Sequence, residues 1–286
     1  MMSSPPVRAL LRGIPDSFAD ALSAAPRAVA IDVPRTRAQH AAYRAALEAS
    51  GVVVTELPAD ERLPDCVFVE DTAVIAGQPG VSGSGQGSGQ GSGQADGTLA
   101  LITRPGAPSR RGEVDAVAAE LGRHLEIVRL EAPATLDGGD CLRLGRTLYI
   151  GRSARTNAAG IAAAEAVLAP RGVRVVAVEL PPGILHLKCV CSPLGEARVL
   201  LAERTLPPRL FDAEIVWVPA EEQYAANAVA IGDRATHAAH ATHVIAAAEY
   251  PRTLEALAAA GLCVHPVPTS EVRKADGSLT CQSILF

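Results

Sequence analysis

The sequence predicts an α/β fold in which five similar units close around a centre, like a small propeller. One pattern recurs: a short apolar strand, a turn, a helix-like stretch, a glycine or loop, and a second strand that ends in a proline or acidic turn. Ile102, Tyr149, Leu200 and Ile245 hold equivalent places roughly 45–51 residues apart, and self-similarity at such a period signals a repeat architecture. Further strand-like segments fall between the units. Closing such units into a ring removes the exposed edges that a set of separate small sheets would leave. An open α/β sheet in two domains is the alternative.

The units can be justified in order. The first is RAVAIDVPRTRAQHAAYRAALEASGVVVTELP and the second LALITRPGAPSRRGEVDAVAAELGRHLEIVRLEAP. In the second, Val114, Val117, Ala118 and Leu121 fall on one helical face. The third, LYIGRSARTNAAGIAAAEAVLAPRGVRVVAVELPP, does the same with Ile161, Ala164, Val167 and Leu168. The fourth, ARVLLAERTLPPRLFDAEIVWVPA, is shorter, and the fifth is HVIAAAEYPRTLEALAAAGLCVHPVPTS. β-Branched runs such as GVVV and VRVVAV, bounded by glycine or proline, mark the strands. CVFVEDTAVIA, CLRLG, HLKCVCSPL, AANAVAIG and LTCQSILF read as the additional strands. Residues 77–97, rich in Gly, Ser and Gln, cannot bury apolar surface. They read as a lengthened hairpin tip inside one catalytic domain spanning 1–286.

Composition excludes several functions. The chain has 286 residues, 48% of them hydrophobic, and no stretch nears the ~20 apolar residues of a membrane span. The start, MMSSPPVRALLRGIPDSF, lacks the apolar core of a secretory signal, so a cytoplasmic location is expected. The net charge of −5 comes without a basic stripe, which argues against nucleic acid and suits a small cationic ligand. Six cysteines without a CxxC pair argue against disulfides and a structural zinc site.

Polar clusters sit where strands end. In LPDCVFVEDTAV, the adjacent Glu70 and Asp71 would face opposite sides of a strand, so at least one carboxylate points inward. It then needs an arginine or a bound cation as partner. In ATLDGGDCLRLG, Asp137 and Asp140 flank two glycines that permit close backbone approach. In GILHLKCVC, His186 alternates with Leu185 and Leu187. Cys281, in GSLTCQSILF, is either a core thiol of a last strand or a nucleophile carried to the centre by it. A Cys/His/acid set requires closeness in space and no fixed spacing. His237, His240 and His243 invite a metal, but a spacing of three residues spreads them around a helix. They read as a solvated loop or helix end.

Taken together, ELPADERLPDCVFVEDTAVI, ALITRPGAPSRRGEVD, ATLDGGD, LHLK and DGSLTCQSILF closely resemble the dimethylarginine dimethylaminohydrolase family. That family belongs to the guanidine-modifying (pentein) superfamily, with arginine deiminases and amidinotransferases. The resemblance runs from about Ile14 onward, broken by the Gly/Ser insert and by extra residues near His237. It implies a five-bladed α/β propeller of ββαβ-like units around a central site. It implies hydrolysis of asymmetric dimethylarginine or monomethylarginine to citrulline and an amine, without a cofactor. Cys281 matches the nucleophile, His186 the general acid/base and Asp137 its partner. Leu22, Asp65, Phe68, Glu70, Asp71, Arg110, Arg155, Ala275 and Asp276 match ligand-contacting positions. Among these Arg110 and Arg155 match the arginines that grip the substrate carboxylate, and Leu22 matches a contact on the covering loop. Ala275 stands where the family pattern has valine. Zinc on Cys281 and His186 would inhibit, and a homodimer is left open. The rivals are a deiminase, an amidinotransferase, or a non-catalytic binder of cationic amino acids.

Overall fold

A computed structural model describes residues 6–24, 29–76, 98–195, 197–232 and 242–286. The first blade holds β1 (Arg8–Arg12), α1 (Val33–Ala49) and β2 (Val53–Leu57). The second holds β3 (Ala73–Ala76), β4 (Leu99–Ile102), α2 (Val114–Leu121) and β5 (Glu126–Arg129). The third holds β6 (Cys141–Leu144), β7 (Thr147–Arg152), α3 (Ala158–Leu168) and β8 (Arg174–Glu179). The fourth holds β9 (Cys191–Pro193), β10 (Arg198–Ala202) and β11 (Glu214–Val218). The fifth holds β12 (Val229–Ile231), β13 (His243–Ala247), α4 (Pro251–Ala259) and β14 (Cys263–Val267). The chain then returns to the first blade as β15 (Ile284–Leu285), which pairs with β1.

Every sheet among the described residues has three strands, and its middle strand pairs antiparallel to one neighbour and parallel to the other. The parallel partner is reached through a helix in four blades, as a parallel connection requires. Asp32 starts α1 by accepting from the Arg35 amide, and Asn157 starts α3 by accepting from Gly160, both ordinary N-caps. In the fourth blade Pro207 and Pro208 remove two amide donors where a helix would lie. That connection is only a 3-10 turn, Pro208–Leu210.

The apolar core shows why the ring closes. Leu10 and Ile284 of the first blade pack with Ala100, Ile102 and Val117 of the second. Leu99 and Leu101 pack with Leu148, Ile150 and Leu168 of the third. Leu142 and Tyr149 join Leu200, Val216 and Val244 across the third, fourth and fifth. Ile231, Ile245 and Val267 of the fifth return to Leu11, Tyr43 and Leu47 of the first. Each blade thus buries its faces against its neighbours. This is the five-bladed α/β arrangement expected from the repeats.

Three of the expected strands are strands only in their second part and begin as turns. Val69–Thr72 is a 3-10 turn before β3, Leu187–Cys189 is one before β9, and Thr280–Gln282 is one before β15. The alternation argument for Glu70 and Asp71 therefore fails, and both are buried together. So does the argument that placed His186 opposite Leu185 and Leu187. In each case a continued strand would drive polar side chains into apolar blade faces, which is costly. The backbone turns at the rim and keeps them at the centre. No helix among the described residues is long and apolar enough to cross a membrane. The insert 77–97, His237 and His240 lie outside the described residues.

Candidate active site

The rim turns pack on one another: Val69–Thr72 touches Gly138–Asp140 and Thr280–Gln282, and Gly138–Asp140 touches Leu187–Cys189. Two glycines make this possible. A Cβ on Gly138 would overlap the Glu70 carbonyl, and one on Gly139 would come within 2.7 Å of His186 Nδ1 and 2.9 Å of Asp71 Oδ1. Glycine is needed here for close approach.

His186 precedes its turn in extended backbone, and its Nε2 lies 3.2 Å from Asp137 Oδ2. Asp137 is fully buried. Its other oxygen accepts from the Gly106 amide at 2.8 Å, and the Arg155 guanidinium stands 3.9 Å away. Burial pulls the imidazole down, but the charges of Asp71 and Asp140 and the Asp137 hydrogen bond outweigh it. They hold the ring at about 9, so it is protonated at neutral pH.

Cys281 sits on the Thr280–Gln282 turn, facing the same cavity as His186. Burial and the charges of Glu70 and Asp71 push its thiol well above the ordinary value. The resting site thus pairs a thiol with an imidazolium, both surrounded by acid.

Leu22, Asp65, Phe68, Asp71, Arg110, Arg155, Ala275 and Asp276 join them in lining the cavity. Asp71 accepts from the Gly139 amide at 2.9 Å and from Arg110 at 2.5 Å. Burial opposes its ionisation, yet His186 and Arg110 hold its carboxyl below the usual range. Arg110 also bonds both oxygens of Glu113 and the Phe68 carbonyl. Its guanidinium is therefore committed inside the protein, whereas among the described residues the Arg155 guanidinium keeps only the long contact to Asp137. Two of the expected residues do not line the cavity. Asp137 stands behind His186, and Glu70 is turned away. The oxygens of Glu70 take Lys188 Nζ and Thr280 Oγ1, each at 2.6 Å.

The segment Leu22–Ala24 lines one side of the cavity. Asp65 accepts from the Leu22 amide at 3.0 Å, and Asp276 accepts from the Ala24 amide. Asp276 adopts φ 54°, a left-handed conformation that aspartate tolerates better than most residues. Phe18 packs edge-on against Phe68, with centroids 5.7 Å apart. The enclosed space is about 50 Å³, well below the roughly 300 Å³ of ordinary ligand pockets. A larger groove of about 310 Å³ lies elsewhere, against Arg37, His40, Arg44 and Glu56. It contains no nucleophile, and Arg44 and Glu56 pair across it.

No family model matches the chain. The dimethylarginine dimethylaminohydrolase of Pseudomonas aeruginosa is 38% identical over 258 residues, 89% of this chain and 90% of that protein. The chain belongs to the dimethylarginine dimethylaminohydrolase family. The Streptomyces coelicolor member is 36% identical over 247 residues, 85% of this chain and 83% of that one. A cysteine-to-serine mutant of the Pseudomonas enzyme, complexed with citrulline, superposes with a TM-score of 0.82 at 35% identity over the whole of both chains. The N-terminal domain of a cyanobacterial arginine dihydrolase reaches 0.75 at 18% identity, covering 98% of this chain and 97% of that one, and shares the pentein fold.

Within this family frame the structure adds residues that sequence reasoning did not assign. Asp140 accepts from the Leu187 amide at 3.0 Å and from Ser153 Oγ at 2.6 Å, which fixes the backbone just after His186. Asn227 donates to the Lys188 carbonyl and to Thr280 Oγ1, and accepts from the Thr280 amide. It ties the histidine turn to the cysteine turn. A signal for Asp140 existed, since it shares the double-glycine motif with Asp137. Asn227 and Glu113 left none, because their partners are remote or ordinary in sequence.

Proposed function

We propose that the chain hydrolyses asymmetric dimethylarginine, and monomethylarginine, to citrulline and dimethylamine or methylamine, with Cys281 as nucleophile and His186 as acid and then base. The observation that carries the roles is the meeting of Cys281 and a braced, protonated His186 in one acidic cavity.

The guanidinium enters a cavity lined by Asp65 and Asp71, which hold its plane and aim its central carbon at sulfur. Positioning of this kind supplies a large part of such a barrier reduction. Arg155 is the freer guanidinium for the substrate carboxylate, while Arg110 holds Asp71 in place. Glu70, which does not line the cavity, steadies Lys188 and the Thr280 turn.

Substrate charge offsets the acidic surroundings that keep Cys281 protonated. An adjacent cation lowers a thiol pKa, so the thiol proton leaves to solvent as the site fills. The thiolate attacks the guanidinium carbon and forms a tetrahedral adduct. His186 gives its proton to the departing amine nitrogen, the C–N bond breaks, and an S-alkylthiouronium remains. Neutral His186 then takes a proton from water as that water attacks the same carbon. The C–S bond then breaks, the hydroxyl proton of the adduct passes to the departing sulfur, and citrulline and the resting thiol form. The free amine takes up the proton that the thiol first gave to solvent. One group serving as acid and then base fits a two-step covalent route. Were zinc to bind at Cys281 and His186, it would withdraw the thiolate and the imidazole from the reaction and inhibit.

Citrulline and dimethylamine release from asymmetric dimethylarginine is the test, with arginine beside it. The native chain should release both products in equal amounts, and Cys281→Ser should lose at least about 10³-fold in kcat while still binding substrate. Turnover of arginine alone would reassign the chain to deimination. Turnover surviving in the serine variant would remove Cys281 as nucleophile.

A further inference from the structure

The fifth blade carries a second group of metal-binding side chains, outside the cavity just described. His243 and Cys263 are Cα partners in the parallel register of β13 and β14. His265 follows Cys263 by two residues, so the strand period of two puts both on one face. His243 Nδ1 lies 2.8 Å from His265 Nε2, and Cys263 Sγ lies 3.7 Å from that same nitrogen. One ligand atom from each residue falls within 4.8 Å of the others. The imidazoles stack with centroids 5.1 Å apart. All three residues are half-buried, and none lines the catalytic cavity.

We propose that His243, Cys263 and His265 form a binding site for a zinc-class divalent cation, with water as the fourth ligand. The distances fit. Tetrahedral zinc with Zn–N of about 2.05 Å and Zn–S of about 2.3 Å separates two nitrogens by about 3.3 Å and a nitrogen from sulfur by about 3.6 Å. The S···N distance of 3.7 Å already meets this. The N···N distance of 2.8 Å must open by about half an ångström, a small rotation of two half-buried rings. The donor set decides the cation class. A thiolate and two imidazoles suit zinc and its softer neighbours, whereas magnesium and calcium require oxygen ligands.

The proton balance is simple. The proton now shared between the rings passes to the outer nitrogen of its own ring, which frees both facing lone pairs. The thiol proton goes to solvent as the metal–sulfur bond forms. The site would staple the two parallel strands at their first residues. Sequence spacing argued against a metal at His243, because two of its co-ligands lie on the adjacent strand and not in its own segment.

The test uses the full chain, stripped of metal and titrated with Co²⁺ and then Zn²⁺. Cys281→Ser serves as background, so that the catalytic thiolate contributes nothing. The expected result is one Co²⁺ per chain with tetrahedral visible bands and a thiolate-to-cobalt absorption, all displaced by Zn²⁺. Adding Cys263→Ser should abolish the thiolate absorption. Adding His265→Gln or His243→Gln should weaken binding by at least about tenfold, no less than loss of an outer-shell partner does. In the otherwise native chain, these three changes should leave dimethylarginine turnover intact. The histidine variants keep the test open should the serine variant fail to fold. Absence of Co²⁺ binding in the Cys281→Ser background, or an undiminished thiolate band after Cys263→Ser, would overturn the proposal.

Discussion

Leu101 at the middle of β4 and Gly139 at the rim are both buried, yet they serve opposite ends of the design. Leu101 is one of many apolar contacts between the second and third blades, and any side chain of similar volume could take its place. Gly139 is bounded by His186 on one side and Asp71 on the other, and no side chain at all fits. The blades hold a shape by the sum of interchangeable contacts. The rim holds a chemistry by particular partners: Asp137 for His186, Glu113 for Arg110, Lys188 for Glu70. Damage in the blades should therefore appear as lost stability alone, and damage at the rim as lost turnover, joined by lost stability where a buried charge loses its partner.

The largest effect should come from Leu101→Ala. It leaves a cavity between blades and should cost about 2–5 kcal/mol of stability, seen in denaturant unfolding, with KM for dimethylarginine unchanged in the folded fraction. A comparable effect should follow pH. His186 is raised from its ordinary 6.5 to about 9 in the fold. Its contribution is therefore full below pH 6.5 and is lost as pH rises through 9. A shift of that size is worth about 3 kcal/mol, and unfolding midpoints measured across that window should fall for the native chain and flatten for His186→Gln. The comparison would fail if the glutamine variant declined equally.

Gly139→Ala should be next. Displacing His186 by a fraction of an ångström should lower kcat about a hundredfold while the unfolding midpoint moves far less. The smallest effect should come from replacing residues 77–97 by a two-residue turn. Ala76 and Leu99 are already paired in the β3–β4 register, so shortening the connection should stabilise by about 1 kcal/mol and leave kcat/KM as it was.

The same division explains what could be read from sequence. The helix over Val114–Leu121 and the strands around Ile102, Tyr149, Leu200 and Ile245 follow from apolar periodicity, and they lie where the periodicity places them. Glu70, His186 and Cys281 were read onto strands because their neighbours are apolar. They sit on turns, since the rim breaks the period to keep polar groups off the blade faces. The site residues could be named by family resemblance; His186 meets Asp137, and Cys281 lines the same cavity as His186. Periodicity could not show that Arg110 is spent on Glu113 or that Asn227 ties two turns, because such pairings exist only after the ring has closed.

The antiparallel pairing of Ala9 with Leu285 and Leu10 with Ile284 carries a consequence for synthesis. The first blade cannot be completed until β15 has emerged, because that strand follows all the others described. Until then Cys281 has no turn to sit on and no His186 beside it. A chain in which β15 is not docked on β1 would therefore hold Cys281 as an ordinary thiol, and reactivity would arrive with the docking of the last strand.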